Sequence, residues 1–206
     1  RQKLVSYSWN LVGSLLGILL FYFLSFMWAP PSIWILLATL MLMPFLRKHI
    51  NSLFPSALAA VMLLAFLNVP FRSSQLDVYS PYQLLTLIVQ RDYPPELRVN
   101  NVYYQRILDL SEETLQCKEH LEGWADHYAL PYYFKPEPEQ VLIVGSGTGN
   151  DVAAAIRHGA GEIDAVEIDP AILHFGRALH PESPYQARNV NAIVEDARSF
   201  IRHTDK

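Results

Sequence analysis

From Leu4 to Phe71 the chain is apolar with little interruption; its only charges there are Arg47 and Lys48. The run over 11–28 is close to the ~20 residues that a helix needs to cross a bilayer. Trp9, Tyr22 and Trp28 fall where amphipathic rings favour the membrane–water interface. Ala29, Pro30 and Pro31 predict a turn. A shorter run over 32–46, with Pro44 near its end, closes at the polar Arg47, Lys48 and His49. A third, over 53–69, has Pro55 in what reads as a first helical turn, where proline is tolerated. The pattern predicts two to three transmembrane helices within residues 1–72.

After Arg72 the periodicity changes. Residues 83–90 are rich in strand formers, 91–95 carry turn chemistry, and 99–108 resume as a strand with Val102, Tyr103 and Tyr104. This predicts a β-hairpin region over 73–110. Ser111 then caps a helix with Glu112 and Glu113 at its positive end. That helix carries Leu121, Trp124, Ala125 and Tyr128 on one face and stops at Pro131. Residues 135–138 form a linker, and 141–144 suit a strand buried on both faces. Helix 151–158, strand 163–168, a helix opened by Pro170 and strand 190–195 follow. This βαβ alternation predicts an α/β fold, a doubly wound parallel sheet of Rossmann type over 111–206. Such a sheet needs further strands, so the chain reads as an excerpt, incomplete at its C-terminus.

Charge sharpens the division. All acids lie at or after Asp77, and the residues up to Ser74 contribute five positive charges: Arg1, Lys3, Arg47, Lys48 and Arg72. Of 16 basic and 20 acidic residues, 11 basic and all 20 acidic ones are left for the remainder, a balance of −9. That excludes a basic nucleic-acid groove. A single cysteine, Cys117, excludes an internal disulfide and reads as a half-buried helix residue. No two histidines stand at metal-pair spacing, so no metal is expected. With three spans, Arg1, Lys3, Arg47 and Lys48 share one side, and the positive-inside rule puts the acidic part on the other. Access to a cytosolic cofactor argues for the cytoplasmic side. The expected location is a multi-pass bacterial inner-membrane protein with its soluble domain in the cytoplasm.

Gly145, Gly147 and Gly149 follow the strand at 141–144 and precede a helix. Missing side chains let a backbone turn sharply and approach a ligand, which the helix N-terminus can then meet. Glu167 and Asp169 end the next strand about 20 residues later, where an acid hydrogen-bonds ribose hydroxyls. Glu167 is the better placed; Asp169 serves equally as an N-cap. Asp196 and Ala197 end the third strand, where a carboxylate can accept from an adenine amino group and the next N–H can meet the ring. Helix capping is the alternative for Asp196. The three stations together predict a nucleoside-cofactor site.

With these elements, the soluble part from Val78 to Arg202 resembles the spermidine synthase (polyamine aminopropyltransferase) family, in its membrane-attached bacterial relatives. Ser80, Pro81, Tyr82 and Gln83 look like that family's opening element, whose Gln touches the cofactor. The resemblance implies a methyltransferase-like Rossmann fold. It implies cofactor contacts from Gln83, Gly145, Gly147, Gly149, Glu167, Asp169, Asp196 and Ala197. It further implies decarboxylated S-adenosylmethionine or S-adenosylmethionine as cofactor, and a small-molecule amine as partner alongside the lipid bilayer. A homo-oligomer is compatible with it. Thr148 stands where the family has an Asp that holds the aminopropyl amine. Gly123, Trp124 and Ala125 stand where it has a Tyr-His/Gln-Glu element. Its catalytic acid falls past Lys206, so the catalytic residue is unknown. A methyltransferase and a non-catalytic nucleoside-binding module remain as alternatives.

Overall fold

The structure is a computed structural model that describes residues 2–46, 50–67 and 74–204. Arg1, Arg47, Lys48, His49, Arg72 and Lys206, on which the orientation and chain-end expectations turn, lie outside the described residues. The chain divides into two compact units, 1–73 with 78–81, and 74–77 with 82–206.

The first unit contains α1 (Gln2–Phe26), α2 (Pro31–Leu46) and α3 (Ile50–Leu67). α1 starts well before the expected apolar run. It ends because Trp28 turns left-handed, at φ 58°. The N–H groups of Trp28 and Ala29 reach back to the carbonyls of Ser25 and Leu24, at 3.1 and 3.0 Å. This closes the last turn as a glycine would. The Trp34 indole N–H then donates to the Ala29 carbonyl at 2.9 Å, and the Phe21 and Trp34 ring centroids lie 5.1 Å apart. Among the described residues, Lys3–Phe26 is the one helix long and apolar enough to cross a membrane. Of the two to three expected spans, that helix alone meets both criteria among the described residues. α2 has 16 residues, which at 1.5 Å each reach roughly 24 Å, short of a ~30 Å hydrocarbon core. Pro55 lies inside α3 rather than in its first turn.

The expected hairpin is a four-stranded sheet, β1 (Gln75–Tyr79), β2 (Leu84–Gln90), β3 (Tyr93–Val99) and β4 (Val102–Arg106), in that order. β3 pairs antiparallel with both β2 and β4. It was hidden because Pro94 and Pro95 read as turn residues. They are tolerated where the β2–β3 register slips between Ile88 and Gln90 and the ladder is already broken. The Pro95 carbonyl is still used, by the Ile107 N–H at 2.9 Å. The β3–β4 turn is Asn100-Asn101, both at positive φ, the geometry that matches strand twist. Leu85 and Leu97 bury completely on this sheet.

The predicted helix after Ser111 is interrupted. Ser111 does cap α4 (Glu112–Cys117), accepting from the Thr114 N–H. A single 3₁₀ turn follows, and α5 (Glu122–Phe134) runs on through Pro131. Pro131 therefore does not stop it, and its carbonyl accepts the Lys135 N–H that ends the helix. Leu121 is buried but Trp124 is exposed, so the expected apolar face is only partly used. Cys117 is exposed, not half-buried.

β5 (Gln140–Val144), β6 (Glu162–Glu167) and β7 (Val190–Val194) form a parallel sheet in sequence order. α6 (Asn150–Arg157), α7 (Pro170–Leu179) and α8 (Ala197–His203) follow the three strands. Val152, Ala155, Ile163, Ala165, Leu173 and Tyr185 make the core on one face. The other face of β5 is open, with Leu142 43% and Val144 55% exposed, so burial on both faces is not observed. α7 is fixed at its start by Asp169, whose carboxylate accepts the Ala171 N–H at 2.9 Å, with Pro170 at the first helical position.

Replacing Asn101 by Val puts a β-branched residue at positive φ. This should cost roughly 1–2 kcal/mol, read as a lower denaturation midpoint at unchanged slope.

Candidate functional site

The turn out of β5 is bound to the end of β6. The N–H groups of Gly145 and Ser146 both donate to the Val166 carbonyl, at 2.8 and 3.0 Å. The Gly147 N–H donates to Glu167 Oε2 at 3.0 Å. Glu167 Oε1 accepts the Asp169 N–H at 3.0 Å. The carboxylate is 3% exposed and carries no lysine or arginine partner among the described ion pairs. Four backbone groups thus collect around two residues. β7 joins on the far side, where the Glu195 N–H donates to the Glu167 carbonyl at 3.2 Å. Strand register, with Val144 opposite Val166 and Glu167 opposite Val194, brings the three strand ends to one edge of the sheet.

Several sequence-predicted residues meet here. Gln83 reaches the same edge, its amide donating to Asp169 Oδ2 at 3.3 Å. Asp169 is completely buried and serves as the N-cap of α7. Asp196 caps α8 through one oxygen, Oδ1, which accepts the Arg198 and Ser199 N–H groups at 2.9 and 3.1 Å. Its Oδ2 has no protein partner among the described residues. Ala197 opens α8.

The glycines act differently from the sequence expectation. All three have positive φ: 69° at Gly145, 58° at Gly147 and 106° at Gly149. Only Gly145 faces open space. A Cβ on Gly147 would lie 2.6 Å from Gln105 Oε1, and one on Gly149 would lie 2.8 Å from Pro184 Cγ and 3.1 Å from Tyr185 Cε2. Two of the three glycines admit protein atoms, not ligand. Gly176 on α7 belongs with them, since a Cβ there would lie 2.5 Å from the Thr148 carbonyl oxygen.

The clamping groups were not legible beforehand. Tyr185 points its hydroxyl at the Ser146 carbonyl, the Ser146 hydroxyl and the Gly147 carbonyl, at 3.1, 3.0 and 2.8 Å. Burial pushes its phenol far up, and the Ser146 hydrogen bond only partly opposes this, so it stays protonated and able to donate. Gln105 Oε1 accepts from both the N–H and the hydroxyl of Thr148, at 3.1 and 3.0 Å. These contacts join residues 38 to 43 positions apart. Asn150, which opens α6 next in sequence, is a further polar residue that the fold buries, at 1% exposed.

The field at this edge is negative. Burial first, then the charges of Glu167, Asp169 and Asp151, raise the Tyr104 phenol above its ordinary value. Desolvation raises the Asp151 carboxyl, with His127 opposing. Behind the loop, His180 is 4% exposed and its Nδ1 accepts the Glu182 N–H at 3.2 Å. Glu182 in turn accepts the Leu110 N–H at 3.0 Å and pairs with Arg157. Burial lowers His180 to about 4.

Residues 127–206 match the family model described as the spermine/spermidine synthase domain. The polyamine aminopropyltransferase of Methanocaldococcus jannaschii is 29% identical over 80 residues, 37% of this chain and 27% of that protein. The polyamine aminopropyltransferase of Korarchaeum cryptofilum is 28% identical over 72 residues, 34% of this chain and 22% of that protein. The matches thus span about a quarter of those relatives' length. The solved spermidine synthase from Thermotoga maritima overlaps 62% of this chain and 43% of that one, at 13% identity and a TM-score of 0.49. The matched stretch holds the glycine loop, Glu167, Asp169, Asp196 and Ala197. Gln83 and Gln105 precede it.

His180 gives a pH signature. Its folded value of about 4 lies below the ordinary 6.5, so the unfolded chain binds the proton more readily. Its contribution to stability is full above pH 6.5 and is lost as pH falls through about 4. Denaturant titrations between pH 7 and 4 should show that decline, and His180→Gln should flatten it.

Proposed function

We propose that this chain is the anchored, nucleoside-holding part of an aminopropyltransferase-like enzyme. The observation that carries this is Glu167, a buried carboxylate without a cationic partner among the described residues, which holds the glycine loop from the end of the adjacent strand. Each of its oxygens accepts one backbone N–H, and a carboxylate oxygen has a second acceptor position. That leaves capacity for two vicinal ribose hydroxyls. Oδ2 of Asp196 is the acceptor for an adenine amino group, with the Ala197 N–H beside it. Open space at Gly145 admits the sugar's approach. These residues fit decarboxylated S-adenosylmethionine.

Glu167, Asp196 and the glycine loop would hold that cofactor, which would supply an electrophilic carbon beside a sulfonium to a neutral amine nitrogen, with the thioether as leaving group. The chain's own contribution is positional. Glu167, Asp196 and the glycine loop fix the adenosine half, so an amine meets the carbon in line. Asp151, Glu167 and Asp169 make the surroundings favourable to a cationic amine. α1 fits the anchoring role, inserting into a bilayer with the acidic unit on the cytoplasmic side, where the cofactor is made.

Methyl transfer from S-adenosylmethionine is the second reading, favoured by Thr148. Its hydroxyl is committed to Gln105, so position 148 offers no carboxylate to an aminopropyl ammonium.

Calorimetry decides between them. Methylthioadenosine should bind, and Glu167→Gln should weaken it by roughly 10–100-fold, the value of hydrogen bonds to a charged acceptor. Unchanged affinity in the variant removes this site. Tighter binding of S-adenosylhomocysteine than of methylthioadenosine selects methyl transfer.

A further inference from the structure

The antiparallel sheet sends one polar side chain into the glycine loop. Gln105, near the end of β4, is half-buried, and its Oε1 takes both hydrogen-bond donors of a residue that is fully buried, Thr148. That oxygen also fills the space where Gly147 lacks a side chain. The Tyr128 oxygen accepts from the Asn150 amide at 2.9 Å. Asn150 opens α6, donates to the Arg106 carbonyl at 2.8 Å and accepts the Leu108 N–H at 3.1 Å. Gln105 of β4 thus holds Thr148, while Tyr128 of α5 and the backbone after β4 hold Asn150 at the end of the glycine turn.

We infer that Gln105 is a positioning residue, which sets the conformation of the glycine loop and through it the affinity for the nucleoside. This rests on the reading of the loop as a nucleoside site. The physical reason is the conformational freedom of the loop. Three residues at positive φ within five are open to other conformations in a glycine-rich segment, so the folded geometry must be imposed from outside. Tyr185 fixes the carbonyls on one side. Gln105 alone engages the donors of Thr148 on the other. The Gln105 carbonyl is the acceptor for both Thr148 donors. Glutamate keeps an acceptor there; alanine loses it.

The test compares Q105A and Q105E with the unaltered protein. Native-state hydrogen exchange reads the loop, and calorimetry with methylthioadenosine reads affinity. In Q105A the Thr148 amide should exchange roughly tenfold faster, one hydrogen bond's worth, and affinity should fall by a similar factor. The loss should spare the amides of the β5–β6 ladder, and Q105E should restore Thr148 protection. Unchanged exchange at Thr148 in Q105A overturns the inference. So does an equal rise across the β5–β6 ladder, which would mean a merely structural role, or faster loop exchange with unaltered affinity. If the unaltered protein binds no nucleoside, the reading of the site fails and the affinity part of the inference falls with it. The exchange result then still decides whether Gln105 sets the loop.

Discussion

Everything at the candidate site depends on how a glycine-rich turn is kept in one shape. A turn with three left-handed residues in five has little conformational preference of its own. The fold supplies one by surrounding it. Val166 and Glu167 take three of its N–H groups, Tyr185 faces two of its carbonyls, and Gln105 takes the donors of Thr148. The first set comes from the neighbouring parallel strand, so sheet register alone delivers it. The others come from a loop after α7 and from the antiparallel sheet. Pieces of chain from both sides of the turn in sequence must therefore be in place before the turn is defined.

This arrangement changes what the glycines mean. In a motif read from sequence, each missing side chain is room for a ligand. Here Gly147 and Gly149 give room to Gln105 and to the Pro184–Tyr185 pair, while Gly145 faces the open. Packed and open positions thus alternate within one five-residue segment. Glu167 borders it with buried oxygens that each hold one backbone N–H group.

The parallel sheet was legible because its signals are local. Short apolar runs, glycines after the first and acids after the second and third place strands and turns to within a residue or two. Asp169 and Asp196 were legible as caps for the same reason. The antiparallel sheet was misread because Pro94 and Pro95 signal a turn unless one knows that the partner strand slips beside them. The path of α5 through Pro131 is a similar tertiary override, as is the left-handed Trp28 that ends α1. Gln105 and Tyr185 carried no signal at all. A neutral polar residue in a strand, and a tyrosine in a loop, acquire their roles only when the chain brings distant segments together. Asn150 is the same case, a polar residue whose burial shows only in the folded chain.

Gly176 sets a limit on how the sheet layer can adjust. The middle of α7 rests on the backbone of the glycine turn with no side chain between them. A sliding helix usually moves on a cushion of rotatable groups; at Gly176 this one meets backbone and the buried Tyr185 ring instead. Any shift of α7 along its axis is transmitted directly to the Thr148 carbonyl. Helix and turn must move as one piece, and a disturbance at the far end of α7 would reach the strand edge mechanically, without passing through the core.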